Sequence, residues 1–113
     1  MKTAIIGSRN LKINNISEYI PEGTDEIVSG GARGIDSCVA DYAKKSGLKL
    51  TVFFPDYKRY SRAAPHIRNR EIIKYTDCVV ALWDENSRGT KNVIDECVRR
   101  GVDVRVFLIN NAE

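Results

Sequence analysis

Metal and disulfide chemistry have little to work with in this chain. It carries one histidine, His66, and three cysteines, Cys38, Cys78 and Cys97. The cysteines are far apart, none belongs to a C-x-x-C pair, and each sits beside an apolar residue. That spacing excludes the usual zinc sites and a disulfide framework. Reduced, buried thiols in a reducing compartment are expected instead. Only three prolines occur, and no tract is of low complexity, which excludes collagen-like and disordered classes. No apolar run approaches the roughly 20 residues needed to span a bilayer. The run after Met1 breaks at Gly7, too soon for a signal peptide. A cytoplasmic protein without a membrane partner is the expectation. The standard catalytic signatures are missing as well. There is no G-x-x-x-x-G-K-[ST], no G-x-G-x-x-G and no G-x-S-x-G.

What is present is globular. The chain has 113 residues, 42% of them hydrophobic and 29% charged, which suits one domain over 1–113 burying roughly 65% of its unfolded surface. Eighteen basic residues against fifteen acidic ones leave +3. This is less than a dedicated nucleic-acid module carries, yet compatible with anionic ligands. Lys58, Arg59, Arg62, Arg68 and Arg70 are concentrated in one segment, with Glu71 just outside it. Such a run serves either as a solvated face or as a basic patch.

Apolar runs alternate with helical stripes along the chain. Strands are expected at Thr3–Ile6, Glu26–Ser29, Leu48–Phe54, Cys78–Trp83 and Val102–Ile109. The fourth is apolar throughout, as in a strand buried on both faces. Helical spacing at Ile13, Ile16 and Ile20 predicts a helix stopped by Pro21. Ile35, Val39, Tyr42 and Ala43 predict a second, ended by Gly47. Asp56–Ala64 reads as a loop. Pro65 fits the first turn of a helix running to about Tyr75. Thr90 suits the cap of a last helix carrying Val93, Ile94, Cys97 and Val98, with Gly101 as its stop. Strands separated by helices call for parallel pairing. The expected fold is therefore α/β, a Rossmann-like doubly wound parallel five-stranded sheet in the order 3-2-1-4-5, with helices on both faces.

Ligands of such sheets bind beyond the carboxyl ends of the strands, where strand order reverses. The loops there are Gly7-Ser8-Arg9, the run from Ser29 through Gly30, Gly31, Ala32, Arg33 and Gly34 to Asp36, and Asp84–Thr90. Glycines let backbone N–H groups approach a ligand, and a helix N-terminus offers unpaired donors and partial positive charge, which suits phosphate. Ser29–Gly34 makes one such cradle and Ser87-Arg88-Gly89-Thr90 a second. Arg9, Arg33 and Arg88 supply charge for phosphate oxygens. Candidate acids or bases are Asp36, Asp84 and Glu85. Asp36 reads first as complementing a helix dipole. Asp84 and Glu85 either bind a ribose or base edge or simply end a strand. Trp83, Tyr57 and Tyr60 serve as stacking platforms or as core and rim.

Read together, these segments resemble the SLOG superfamily, which unites the Smf/DprA DNA-processing proteins with the Lonely-guy (LOG) enzymes. The matching pieces are Gly7-Ser8-Arg9, the S-G-G-A-R-G-I-D run from Ser29 to Asp36, Arg68-Asn69-Arg70 with Ile72, and Ser87-Arg88-Gly89-Thr90. In length the chain is most similar to the small stand-alone branch related to YspA and YpsA. The resemblance implies binding of a nucleotide or nucleotide-derived ligand, of ADP-ribose, NAD or nucleoside-phosphate type. It places Gly30, Gly31, Gly34, Gly89 and Thr90 against phosphate, Ser8 and Arg9 on the pocket wall, and Arg68 and Asn69 on the helix approaching it. LOG enzymes release a base by means of a glutamate three residues after a P-G-G-x-G-T threonine. Here that position is Val93, and Asn86-Ser87 replaces the glycine pair. On a helix Asp95 and Glu96 project about 200° and 300° around from Val93. The reading is therefore a binding or sensing domain. The alternatives are a hydrolase of an N-glycosidic or phosphate bond and a single-stranded DNA binder using Arg59, Arg62, Arg68 and Arg70 with Tyr57 and Tyr60. Homo-oligomers are expected among small α/β domains of this kind.

Overall fold

Side-chain alternation along three central strands divides the core into two layers. Ile5, Ile27, Val80 and Leu82 project to one face of the sheet, and Ala4, Val28 and Val79 to the other. In the computed structural model, which describes residues 1–8, 11–31 and 34–109, five strands form a single parallel sheet. They are β1 (Lys2–Gly7), β2 (Glu26–Ser29), β3 (Lys49–Val52), β4 (Cys78–Trp83) and β5 (Asp103–Leu108), in the order β3-β2-β1-β4-β5. This is the doubly wound, Rossmann-like α/β arrangement expected from the alternating pattern.

Helix α1 (Ile35–Ser46) covers the first face, packing Ile35, Val39 and Ala43 onto Ile5, Ile27, Val80 and Leu82. Leu11, Ile13 and Ile16 extend that layer. Helices α3 (Ala64–Tyr75) and α4 (Arg88–Arg100) cover the second face with Ile72, Ile73, Val93 and Cys97. Both α1 and α4 end at left-handed glycines, Gly47 at φ 69° and Gly101 at φ 71°, where a side chain would be strained.

Several local expectations are corrected. The stripe at Ile13, Ile16 and Ile20 does not make a helix; a 3-10 turn covers Ile16–Tyr19 only. Asn14 and Asn15 favour turns over helix interior, and eight residues before Pro21 nucleate a helix poorly. The stripe still serves packing, since Ile13 and Ile16 are buried. Asp56–Ala64 is more ordered than a loop. A short α2 (Tyr57–Tyr60), capped by the Asp56 carboxylate accepting from the Arg59 amide, leads through a 3-10 turn at Ser61–Ala63 into α3. The third and fifth strands are shorter than expected at both ends.

β5 forms one edge of the sheet, and Val106, Phe107 and Leu108 are only partly covered. Phe107 meets Tyr19 edge-on with ring centroids 5.0 Å apart. Cys78 and Cys97 are buried and unpaired, and Cys38 is half-buried. Burial, reinforced by the Glu96 carboxylate, pushes the Cys97 thiol up to about 11, so it holds its proton at neutral pH. Among the described residues no helix is long and apolar enough to cross a membrane, and no group of three or more His, Cys, Asp or Glu side chains is placed to hold a metal ion.

Candidate functional site

Because β1 and β4 are neighbours while their following connections leave on opposite faces, a crevice opens at their carboxyl ends. A cavity of about 520 Å³ occupies it, within the ~300–1,000 Å³ typical of small-molecule sites. Gly7 at the end of β1 with Ser8 after it, Gly30 after β2, and Asp84, Asn86 and Ser87 after β4 form its floor. Gly89, Thr90, Asn92 and Val93 of α4 form one wall, and His66, Arg68 and Asn69 of α3 another.

The β4 turn is built by hydrogen bonds from the sequence D-E-N-S. Asp84 Oδ1 accepts from the amides of Asn86 and Ser87, both at 2.9 Å, the Asx geometry that makes aspartate a turn former. The Ser87 amide is the main influence holding the Asp84 carboxyl below its ordinary value. Partial burial opposes it, and the Asn86 amide and Ser8 hydroxyl add to it. Closing this turn leaves Glu85 at φ 67°, a conformation that costs a non-glycine residue about 1–3 kcal/mol. Ser8, 2% exposed, links the β1 and β4 ends: its amide donates to Leu82 O, and its Oγ accepts from the Asp84 amide.

The cap of α4 is Ser87, not Thr90 as expected. Ser87 Oγ accepts from the Thr90 amide at 3.3 Å, and its hydroxyl donates to Thr90 Oγ1 at 3.1 Å. Thr90 is buried one turn in. The Trp83 indole N–H donates to Ser87 O at 3.0 Å, so this ring clamps the cap, and it is not on the cavity wall. The first N–H groups of a helix lack intrahelical acceptors. With Thr90 served by Ser87, the amides of Arg88 and Gly89 meet no acceptor among the described residues. The first turn of α4 has no acidic residue. A Cβ built on Gly89 would approach nothing closer than Ser87 Oγ at 4.0 Å. Neither a positive φ nor a crowded neighbour requires glycine there.

The β2 turn is tighter. Arg68 Nη1 donates to Gly30 O at 2.5 Å and its Nε to Asn69 Oδ1 at 2.7 Å. The guanidinium lies so close to Gly30 that a Cβ there would meet Nη1 at 2.7 Å. Ser29 Oγ accepts from the Gly31 amide. Gly31 has φ 74°, and a Cβ on it would fall 2.6 Å from the Phe54 ring. Gly34 caps α1 at φ 70° without a side-chain bond. Asp36 follows in the first turn of α1, nearly buried, on the cavity wall. Gly7 also has a packing reason, since its missing Cβ would lie 2.3 Å from Ile35.

Of the sequence-derived site residues, the cavity brings together Gly7, Ser8, Gly30, Asp36, Arg68, Asn69, Asp84, Ser87, Gly89 and Thr90. Ser29, Gly31, Gly34, Glu85 and Arg88 are not on its wall. Ser29 and Gly31 brace the β2 turn, Gly34 starts α1, and Glu85 is the strained link of the β4 turn. Arg9 and Arg33 lie outside the described residues. Tyr57 and Tyr60 belong to α2, away from the cavity wall, where Arg59 lies over the Tyr60 ring at 5.3 Å. Sequence reasoning missed His66, Asn86 and Asn92. A signal existed for two of them: His66 and Asn69 are three apart on α3, and Gly89, Asn92, Val93 and Glu96 follow the one-face spacing of α4.

Searches against family models, curated proteins and solved structures found no match for this chain.

Proposed function

We propose that the chain binds a phosphate-bearing, nucleotide-derived small molecule in the cavity between the β1, β2 and β4 ends. The observation that carries this reading is the first turn of α4. It is capped, its first two amides meet no acceptor among the described residues, it contains no acid, and its glycine lies on the cavity wall with open space where a Cβ would stand. Backbone donors, a helix dipole and close access are the elements that hold a phosphate. The first turn of α1 differs in carrying an acid, Asp36, on the same cavity wall. The SLOG resemblance supports the same ligand class, and it assigns the phosphate to glycine loops.

Binding rather than turnover is favoured by Val93. It stands where LOG enzymes have their glutamate, 2% exposed and apolar, with no group to accept or donate a proton. The hydrolytic reading rests on Asp36 and Asp84 sharing the cavity wall. Asp84, however, already spends one oxygen on two backbone amides.

Thermal-shift measurement against AMP, ADP and inorganic phosphate tests the reading. Nucleotide at about a hundred times its Kd is expected to raise Tm on the order of 10 °C, and Gly89→Glu to remove that rise while the variant still folds. No shift with any nucleotide overturns it. Steady release of base or phosphate, lost in Asp36→Asn, would establish the hydrolase instead.

A further inference from the structure

The two edges of the sheet are built differently. β3 is four residues long, opens with Lys49 and is followed by Pro55. Shortness, a lysine and a proline are devices that keep an edge from pairing with another strand. β5 is six residues long, and its uncharged second half, Val106, Phe107 and Leu108, is 42%, 37% and 61% exposed. The Ile109 amide donates to Trp83 O, so by alternation along the strand Arg105 and Phe107 also turn their backbone groups to β4. Those of Val104, Val106 and Leu108 point outward and meet no partner among the described residues.

The open edge continues onto α4. Val104 and Val106 are in register with Val79 and Ala81, on the side of the sheet that α4 covers. Asn92, Glu96 and Arg99 line a groove between α4 and α3; they project about 240–300° around from Val93, whereas Ile94 and Val98 project about 100° and 140°. Val98 therefore lies on the flank away from α3, beside β5, and it is 68% exposed. We propose that a second copy of this chain covers the strip from Val98 to Leu108. Its β5 adds antiparallel to the first, joining two sheets into one across a two-fold axis at Val106.

The strand is self-complementary about that residue. With Val106 opposite the partner's Val106, and Val104 opposite the partner's Leu108, every outward donor meets an acceptor. The side-chain pairs on the α4 side are then all aliphatic. On the other face Arg105, held by its own Asp103 at 3.5 Å, lies opposite the partner's Phe107, a cation beside a ring. An axis at Arg105 would set two like charges against each other. An axis at Val104 would run Phe107 and Leu108 past the start of the partner's β5. The pairing is closed, so it makes a dimer and not a filament.

Sedimentation equilibrium of the whole chain, from micromolar to hundreds of micromolar and without ligand, tests the dimer. Val106→Lys sets two like charges at the axis, and Val98→Lys changes an exposed helix position that the fold does not need. Each is expected to raise the dimer dissociation constant about tenfold or more. Leu50→Lys on β3 should leave it within about twofold. Oxidation reads the register. Val106→Cys is expected to give a covalent dimer, because residues opposed in this way stand about 5.5 Å apart at Cα, within disulfide reach. Val104→Cys, opposite the partner's Leu108, should cross-link no more than the wild type. A monomer at every concentration overturns the proposal and leaves the edge to a strand from another protein. A dimer indifferent to both lysine variants overturns it as well, and cross-linking through Val104→Cys but not Val106→Cys overturns the pairing about Val106.

Discussion

Two strand-to-helix turns meet at the cavity, and they use glycine in opposite ways. The turn after β2 carries the conspicuous run of three glycines. Each described one has a mechanical reason to be there: Gly30 lies under the Arg68 guanidinium, Gly31 is left-handed and packed by Phe54 and Val52, and Gly34 opens α1 at positive φ. The turn after β4 has a single glycine. Gly89 has ordinary helical geometry and open space before it. The lesson is that glycine density marks a tight turn, whereas a glycine with no conformational or packing reason marks room kept for something else.

The largest effect that sharpens this contrast is expected at Gly31. Placing alanine in a left-handed position costs about 1–2 kcal/mol, and the added methyl must displace Phe54 as well. Gly31→Ala should lower Tm by several degrees, measured by thermal or urea unfolding. Ligand affinity, extrapolated to the fully folded protein, should change little. If Gly31→Ala left stability untouched and abolished binding, the assignment of roles to the two turns would be reversed.

Loss of the cap on the other turn comes next. Ser87→Ala removes the acceptor for the Thr90 amide and is expected to cost about 1 kcal/mol. It should weaken ligand binding too, because the same serine positions the first turn of α4. Unlike Gly31→Ala, its stability and affinity losses should appear together.

Gly89→Ala is smaller in stability and opposite in sign. Alanine in place of glycine within a helix stabilises by roughly 0.5–1 kcal/mol, and no neighbour obstructs the methyl. Nucleotide affinity should fall about tenfold, near 1.4 kcal/mol. Urea midpoints and calorimetric titration of one protein sample measure both. A variant that gained stability and lost no affinity would remove the argument for a phosphate at α4.

How far these roles are legible in the sequence depends on the range of the interaction. The sheet and its order follow from local pattern. Cys78–Trp83 is apolar throughout, the other strands are separated by helical stripes, and parallel crossovers leave few arrangements. The three loops at the switch point are legible for the same reason. The division of labour among the glycines is not. Gly31's reason is Phe54, Gly30's is Arg68, and Gly7's is Ile35, all contacts across the fold. The cap is ambiguous in the sequence because Ser87 and Thr90 are both good cap residues three apart. What chooses Ser87 is the Asp84 carboxylate turning the chain ahead of it and the Trp83 indole holding its carbonyl. The short 3-10 turn at Ile16–Tyr19 reflects tertiary burial taking over an apolar stripe whose asparagines oppose a helix.

The same difference in construction predicts different responses to acid. The β2 turn is held by Arg68, which keeps its charge at any ordinary pH. The β4 turn is held by Asp84, whose amide partners favour the ionised carboxylate and depress its pKa. A carboxylate depressed in the folded state adds stability that is complete above its unfolded pKa and fades as pH falls through the folded one. That contribution is therefore present at neutral pH and fades below roughly pH 4. Asp84→Asn keeps an oxygen that accepts from the Asn86 and Ser87 amides but removes the charge, which roughly halves such bonds. The variant should melt slightly below the wild type at pH 7, and the gap should close as the pH is lowered past 4. Unfolding curves of both proteins at a series of pH values test this. A gap that persisted unchanged in acid would mean that the shape of the Asp84 side chain, not its charge, sets the turn in front of α4.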